Sequence, residues 1–269
     1  MSKEEDVDQI VTKAIESFGG FDTWVNNASV ALYGHAEDIP IEEARQLFDI
    51  NFWGAVYGMK KAVAHFKDRG EPGVVINIGS VAGNRTFPVQ SFYSASKFAL
   101  HGLTDGMRME LEKSGAPVVI SQIHPARVDT PYTNHATSYI DRHPTHKGMV
   151  YPPESVAEAI LFVAENPKRD VYVGTQSKYF SVMGRVFPRL IDRYMEWDTY
   201  STNFDERRSA KSPEEGNLYR SRNGLMERGN NLGWHRPESL MVKAKKKPGL
   251  TTVILAGSAL GLFKLMKKK

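Results

Sequence analysis

Four residues in this chain have the types and spacing that proton-transfer chemistry needs. Tyr93 and Lys97 are four apart in a stretch whose pattern predicts a helix, so the phenol and the amine share one face. A free phenol titrates at about 10 and is a poor base at neutral pH. A neighbouring ammonium favours the phenolate and lowers that value. The pair can then pass a proton to or from a carbonyl or alcohol oxygen. Ser80 ends the preceding predicted strand and can hydrogen-bond the same oxygen. Asn51 falls inside a predicted long helix, where asparagine is a mediocre helix former. Its side chain can hold a water that connects Lys97 to solvent. A Tyr-x-x-x-Lys pair alone is common on ordinary helices, and it is the combination of the four that carries weight.

The elements that must position these residues follow from hydrophobic periodicity. Val7, Ile10, Val11, Ala14, Ile15 and Phe18 form one stripe of a helix over 4–18, stopped by Gly19-Gly20. Apolar runs predict strands near 73–79 and 171–173, and strands are also expected near 23–27 and 118–123. Helical patterns lie between them at about 41–67, 91–113 and 153–166. Strands alternating with helices imply right-handed crossovers and a parallel sheet with helices on both faces. Ligands in such sheets sit beyond the carboxyl ends of the strands. Asn26-Asn27-Ala28, Ser80 and His124-Pro125 all fall at those ends. His124 itself reads as a packed residue.

Five motifs in one order resemble the short-chain dehydrogenase/reductase family. Tyr93-Ser94-Ala95-Ser96-Lys97 is similar to its Tyr-x-Ala-Ser-Lys signature, with Ser80 thirteen residues before the tyrosine. Asn26-Asn27-Ala28-Ser29 resembles Asn-Asn-Ala-Gly, and Asn51-Phe52-Trp53-Gly54 resembles the family's asparagine-containing helix segment. Pro125-Ala126-Arg127-Val128-Asp129-Thr130 resembles the Pro-Gly-x-Val-x-Thr stretch. The resemblance implies hydride transfer between NAD or NADP and an alcohol or carbonyl substrate. It implies Tyr93 as acid/base, Lys97 lowering its pKa and binding the nicotinamide ribose, Ser80 orienting the substrate oxygen, and Asn51 supporting a proton relay. It also carries cofactor contacts onto Asn26, Ala28, Tyr93, Lys97, Pro125, Val128 and Thr130. Ser29 and Ala126 replace family glycines and are expected to have modest effects. The segment from Thr130 to Pro152, with His135, His143 and His146, corresponds to the substrate cover and is read as loop rather than a metal site.

The family's Thr-Gly-x-x-x-Gly-x-Gly turn, which holds the pyrophosphate at a helix N-terminus, has no match in the sequence. The expected fold is therefore α/β, a partial doubly wound parallel sheet. It is Rossmann-like with its N-terminal strands missing, and helices lie on both faces. The strand at 23–27 is expected as an exposed edge that strips cover from Trp24 and Val25 and drives self-association. NAD-versus-NADP preference is unreadable without the missing strands. An incomplete reading frame accounts for the pattern better than decay, because the four reacting residues are intact. The alternative function is a catalytically inactive fragment, or a membrane-tethered scaffold, of the same fold.

The organisation is expected as an incomplete catalytic domain over 1–180, an amphipathic helix over 181–200 bent by Pro188, a polar linker over 201–248 and a tail over 249–269. The net charge of +4 over 269 residues belongs to that end: eight lysines and no acid lie in 240–269. The remaining 27 basic and 31 acidic residues give 1–239 a net −4. Leu250 to Phe263 is uncharged and lysine-flanked, which favours lipid over nucleic acid as its partner. The absence of cysteine excludes disulfides and thiolate chemistry. A cytoplasmic protein, membrane-associated through its tail, with a small-molecule substrate and self-association, is the expectation.

Overall fold

The computed structural model describes residues 2–221 and 226–246. Helix α1 (Glu4–Phe18) carries Glu4, Glu5 and Asp6 in its first turn, where carboxylates oppose the positive end of the helix dipole. Gly19 ends it at a φ of 77°, its N–H bonded to the carbonyl of Ile15. The apolar stripe is covered only in part. Val7 is buried and Val11 packs beside it, while Ile10, Ile15 and Phe18 are exposed.

Strands β1 (Thr23–Asn26) and β2 (Leu32–Tyr33) come next. The helix expected over 41–67 is continuous but not uniform. It consists of α2 (Ile41–Phe48), a π turn over Asp49–Trp53 and α3 (Gly54–Arg69). Strand β3 (Gly73–Ile78) leads through a short 3₁₀ turn at Val81–Gly83 to α4 (Ser91–Lys113) and β4 (Val118–Pro125). The segment expected as loop contains α5 (Tyr132–His135), β5 (Thr137–Ser138), β6 (Arg142–Pro144) and β7 (Met149–Val150). Helix α6 (Pro153–Glu165) and strand β8 (Asp170–Val173) follow. Then come α7 (Thr175–Val186), α8 (Pro188–Thr202), β9 (Phe204–Ser209), β10 (Trp234–His235) and α9 (Leu240–Lys246).

The main sheet has the order β1-β3-β4-β8, with every pair parallel. These are the four strands read from the sequence. One face packs on α1, α3 and α4 around Met59, Phe66, Val75 and Ile120. The other packs on α6 and α9 around Ile76, Ile123, Val163 and Val242. Helices on both faces of a parallel sheet make this an α/β fold. Strand β1 is an edge of the sheet among the described residues. Trp24 nevertheless keeps its cover. It is 8% exposed, packs on Phe21 at a ring separation of 5.4 Å, and donates its indole N–H to Asn26 Oδ1 at 2.7 Å.

Two expectations about the later chain are corrected. Pro188 does not bend one helix over 181–200 but starts a second: it occupies the first turn of α8, where its missing N–H has no helical partner to lose. The described part of 201–248 is not a free linker. Strand β9 pairs with β6, β10 pairs with β7, and Val242 of α9 is buried against β8. Its polar composition misled because backbone pairing, not apolar side chains, fastens much of it. Among the described residues no helix is long and apolar enough to cross a membrane. The apolar tail at 249–269 lies outside the described residues.

Helix α3 approaches β1 closely at Gly58, where a Cβ would overlap Asn26 Oδ1 and come within 2.6 Å of Trp24 Nε1. Gly58→Ala is expected to cost about 1–3 kcal/mol by forcing α3 away from β1, measured as a shift in the urea midpoint. An unshifted midpoint would overturn this packing.

Candidate active site

Lys97 and Tyr93 occupy adjacent turns of α4, which crosses the carboxyl end of β3. The Lys97 side chain is 3% exposed, and its Nζ donates to the carbonyl of Ile78 at 3.0 Å. Burial lowers its pKa to about 8, because a buried ammonium loses its hydration. Nζ lies 5.8 Å from the centre of the Tyr93 ring.

Tyr93 is buried, and burial raises its pKa, while the hydroxyls of Ser80 and Tyr132 pull it back. The lowering by Lys97 expected from the sequence is not among the causes of this shift: desolvation comes first for both members of the pair. Ser80 is extended, at φ −166° and ψ 160°, and caps the 3₁₀ turn by accepting the N–H of Ala82 at 3.0 Å. Ser80, Tyr93 and Lys97 all line one cleft of about 1120 Å³ beyond the strand ends.

Asn51 sits in the π turn, 1% exposed, and does not line that cleft among the described residues. Its Oδ1 accepts the N–H of Val30 at 2.8 Å and the hydroxyl of Ser29 at 3.1 Å. Its Nδ2 donates to the carbonyl of Val30 at 3.1 Å and to Ser96 Oγ at 3.3 Å. The side chain expected to hold a water is spent on clamping the segment after β1 to α4. The π turn, which inserts an extra residue, is what aims it there.

Of the cofactor contacts, Ala28, Pro125, Val128 and Thr130 line the cleft with Tyr93 and Lys97. Asn26 is a correction. It is buried, its Oδ1 accepts from Trp24, and its Nδ2 donates to Asn77 Oδ1 at 2.8 Å and to the carbonyl of Ala55 at 3.3 Å. Its place in the strand turns it into the core, and its neighbours Asn27 and Ala28 reach the cleft instead. Ser29 and Ala126 need no left-handed backbone, since among the described residues the one non-glycine at positive φ is Val89, at 56°.

The structure places at the cleft residues to which the sequence reading gave no role. Tyr132 meets the Tyr93 ring edge-on at 5.8 Å and accepts from Gln90 Nε2 at 3.3 Å. Arg127 lines the cleft but is tied to Asp198 at 2.5 Å and Thr202 at 2.7 Å. Burial lowers the pKa of His146 to about 3, with Arg127 adding to the effect, so this cleft-lining ring is neutral. The remaining histidines of that segment separate: His135 lines the cleft, while His143 is buried beside β9. His124 is fully buried and packed, as read from the sequence, between Asn84 at 2.9 Å and Asp170 at 3.0 Å. His101, His124 and Asp170 form a cluster with metal-ligand atom types. Asp170 there already faces Arg108 and Arg169 at 3.6 and 3.3 Å, which satisfies its charge without an ion.

A family profile described as short chain dehydrogenase matches residues 1–140. Over 258 residues the chain is 52% identical to the uncharacterized oxidoreductase YxnA of Bacillus subtilis (strain 168), a match spanning 96% of this chain and 72% of that protein. It is 35% identical over 173 residues to 3beta-hydroxysteroid dehydrogenase 1 of Eggerthella lenta, spanning 62% of this chain and 65% of the relative. The crystal structure of a short-chain dehydrogenase from Streptomyces avermitilis superposes with a TM-score of 0.56 at 21% identity. That match covers 74% of this chain and 78% of the other, and the two share a fold.

The lowered pKa of Lys97 has a consequence for stability. Unfolded lysine holds its proton up to about 10.4, and the folded residue loses it near about 8. Unfolding therefore takes up a proton between those values, so stability rises with pH across that window. Lys97→Met should lack this rise, which amounts to about 3 kcal/mol at most in the wild type. Urea melts at pH 7.5 and 10 would measure it, and identical pH slopes in the two proteins would show that the amine titrates normally.

Proposed function

The chain belongs to the short-chain dehydrogenase family, and on that premise we propose that it transfers a hydride between NAD or NADP and an alcohol or carbonyl substrate. The supporting observation is the convergence of Ser80, Tyr93 and Lys97 on one cleft at the carboxyl ends of a parallel sheet. The cleft is larger than a typical site for one small ligand, about 300–1,000 Å³, and suits a cofactor beside a substrate. The residues present fit the nicotinamide end of such a cofactor: the buried, polar Lys97 amine and the cleft-lining Asn27, Ala28, Pro125, Val128 and Thr130 would hold it. When bound, it supplies or accepts the hydride.

The chain's own residues handle the oxygen and the proton. Ser80 orients the carbonyl oxygen. Tyr93, kept protonated at neutral pH by its burial, donates its proton to that oxygen as the carbon is reduced. Lys97, with a pKa of about 8, lies close enough to neutrality to restore a proton to the phenol. Reduction should accordingly slow as pH rises through about 8 and the amine loses its charge. Asn51 acts at one remove, by fixing α4 through Ser96.

Carbonyl reduction by the full chain, followed by nicotinamide absorbance with NADH and NADPH, tests the reading. Tyr93→Phe should lower kcat by about 10²- to 10⁴-fold while cofactor fluorescence titrations stay unchanged. Retained turnover would remove Tyr93 from the mechanism, and no saturable binding of either cofactor would remove the mechanism altogether.

A further inference from the structure

Residues that follow the α/β core build one wall of the cleft. Asn217, Leu218, Tyr219, Arg220 and Ser221 line it. They are fastened to the segment between β4 and α6. Gly216 lies so close to Thr137 that a Cβ there would overlap its side chain, and the N–H of Asn217 bonds to the carbonyl of His135 at 2.9 Å. Further along, Asn231 donates to Asp129 Oδ1 at 2.9 Å and accepts the N–H of His146 at 3.1 Å. The Arg236 N–H bonds to the carbonyl of Val150 at 2.9 Å.

Leu218 is 3% exposed and belongs to the apolar cluster that contains Val81, Phe87 and Tyr93. Gln46 holds its carbonyl from α2 at 3.4 Å. The side chain therefore shares its surroundings with the reacting phenol. Among the described residues that line the cleft there is no aspartate or glutamate. Of the lysine and arginine side chains on its walls, Lys97 is buried and donates to the carbonyl of Ile78, Arg127 is half-buried and already paired with Asp198, and Arg220 is exposed. A ligand ammonium would lose its hydration and meet no counter-charge, and a ligand carboxylate buried in the cleft would have to compete with Asp198 for Arg127 or with the carbonyl of Ile78 for Lys97.

We propose that Leu218 is a substrate-specificity residue and that the substrate is an uncharged alcohol or carbonyl compound with a bulky apolar body. This deepens the oxidoreductase reading and rests on it for which end of the ligand reacts. The apolar body packs against Leu218, Val81 and Phe87, with the oxygen directed at Ser80 and Tyr93.

The test is fluorescence titration of the full chain with three probes of one shape: 2-naphthol, 2-naphthylmethylammonium and 2-naphthoate. The neutral probe should bind saturably, tighter than either ion by about tenfold or more. Leu218→Trp, which fills the wall, should weaken 2-naphthol by about tenfold. Leu218→Ala, which opens it, should shift preference toward the larger pyren-1-ol by about fivefold. Circular dichroism verifies the fold of each variant, and the alanine variant decides if the tryptophan variant does not fold. Absent binding of 2-naphthol, or equal binding of an ion, overturns the ligand class. An unchanged probe preference in folded Leu218→Ala overturns the role of the wall. If 2-naphthol binding depends on Leu218 but the wild type reduces no carbonyl, the oxidoreductase reading fails, while the ligand class and the role of the wall in binding stand.

Discussion

An amine buried at the end of a strand needs an acceptor, and the carbonyl of Ile78 supplies it to Lys97 at 3.0 Å. Ile78 is the last residue of β3, where the ladder to β4 ends. Because α4 must deliver the lysine to that carbonyl, its rotation and height over the sheet are set. Tyr93, one turn earlier on the same face, then enters the cleft beside Ser80, which begins two residues after Ile78. One hydrogen bond thus relates strand, turn and helix. The neighbouring Val89 pays in local strain for the same arrangement. A β-branched residue at φ 56° is disfavoured, yet Val89 is 3% exposed and its carbonyl holds the N–H of Gly34 at 2.8 Å. The chain entering α4 is held in an unfavourable conformation by its surroundings, as happens where a side chain must be aimed.

The sheet was legible because its signal is periodic. Val74, Val75 and Ile76 form an apolar run, as do Val118, Val119 and Ile120, and both became central parallel strands. Ser80, Tyr93 and Lys97 were legible because spacing on a helix and position after a strand determine where they point. Asn26 and Asn51 were harder. Both are polar residues near the site, and which way each turns depends on features without a composition signal: the alternation of β1 for Asn26 and the π turn for Asn51. Each is used to hold backbone and side chains together rather than to face the cleft. Tyr132 was hidden for a different reason. It lies in a segment whose short elements, α5 through β7, are stabilised by contacts with distant residues such as Asn203, Asn217 and Asn231.

Those distant contacts also explain why the described part of 201–246 reads as linker but packs. The segment is poor in apolar residues, so it has little surface to bury, and composition alone argues against order. Its fastening is instead through main-chain pairing and a few side chains placed at closed points. Phe204 and Leu218 are buried, Ser239 accepts the N–H of Gly174 at 3.0 Å, and Asn231 serves three partners, Asp129, Thr133 and His146. Backbone hydrogen bonds are available to any sequence, and their partners here lie far away in the chain.

Ser80 is positioned from behind by a chain of polar contacts that begins on β8. Asp170 Oδ1 meets His124 Nε2 at 3.0 Å, and His124 Nδ1 meets Asn84 Nδ2 at 2.9 Å. Burial lowers the pKa of His124, so the ring is neutral. A neutral ring satisfies both contacts in one tautomer only, with Nε2–H donating to the carboxylate and Nδ1 accepting from the amide. That choice fixes the orientation of Asn84. Its Nδ2 then also reaches the carbonyl of Ser80 at 3.4 Å, and its Oδ1 accepts from Ser181 on α7 at 3.3 Å. Protonating His124 would place a second donor against Asn84 Nδ2. Relief requires the amide to rotate, which exchanges donor for acceptor at both Ser80 and Ser181. The turn that presents the Ser80 hydroxyl and the helix that packs over it are therefore held by the same proton.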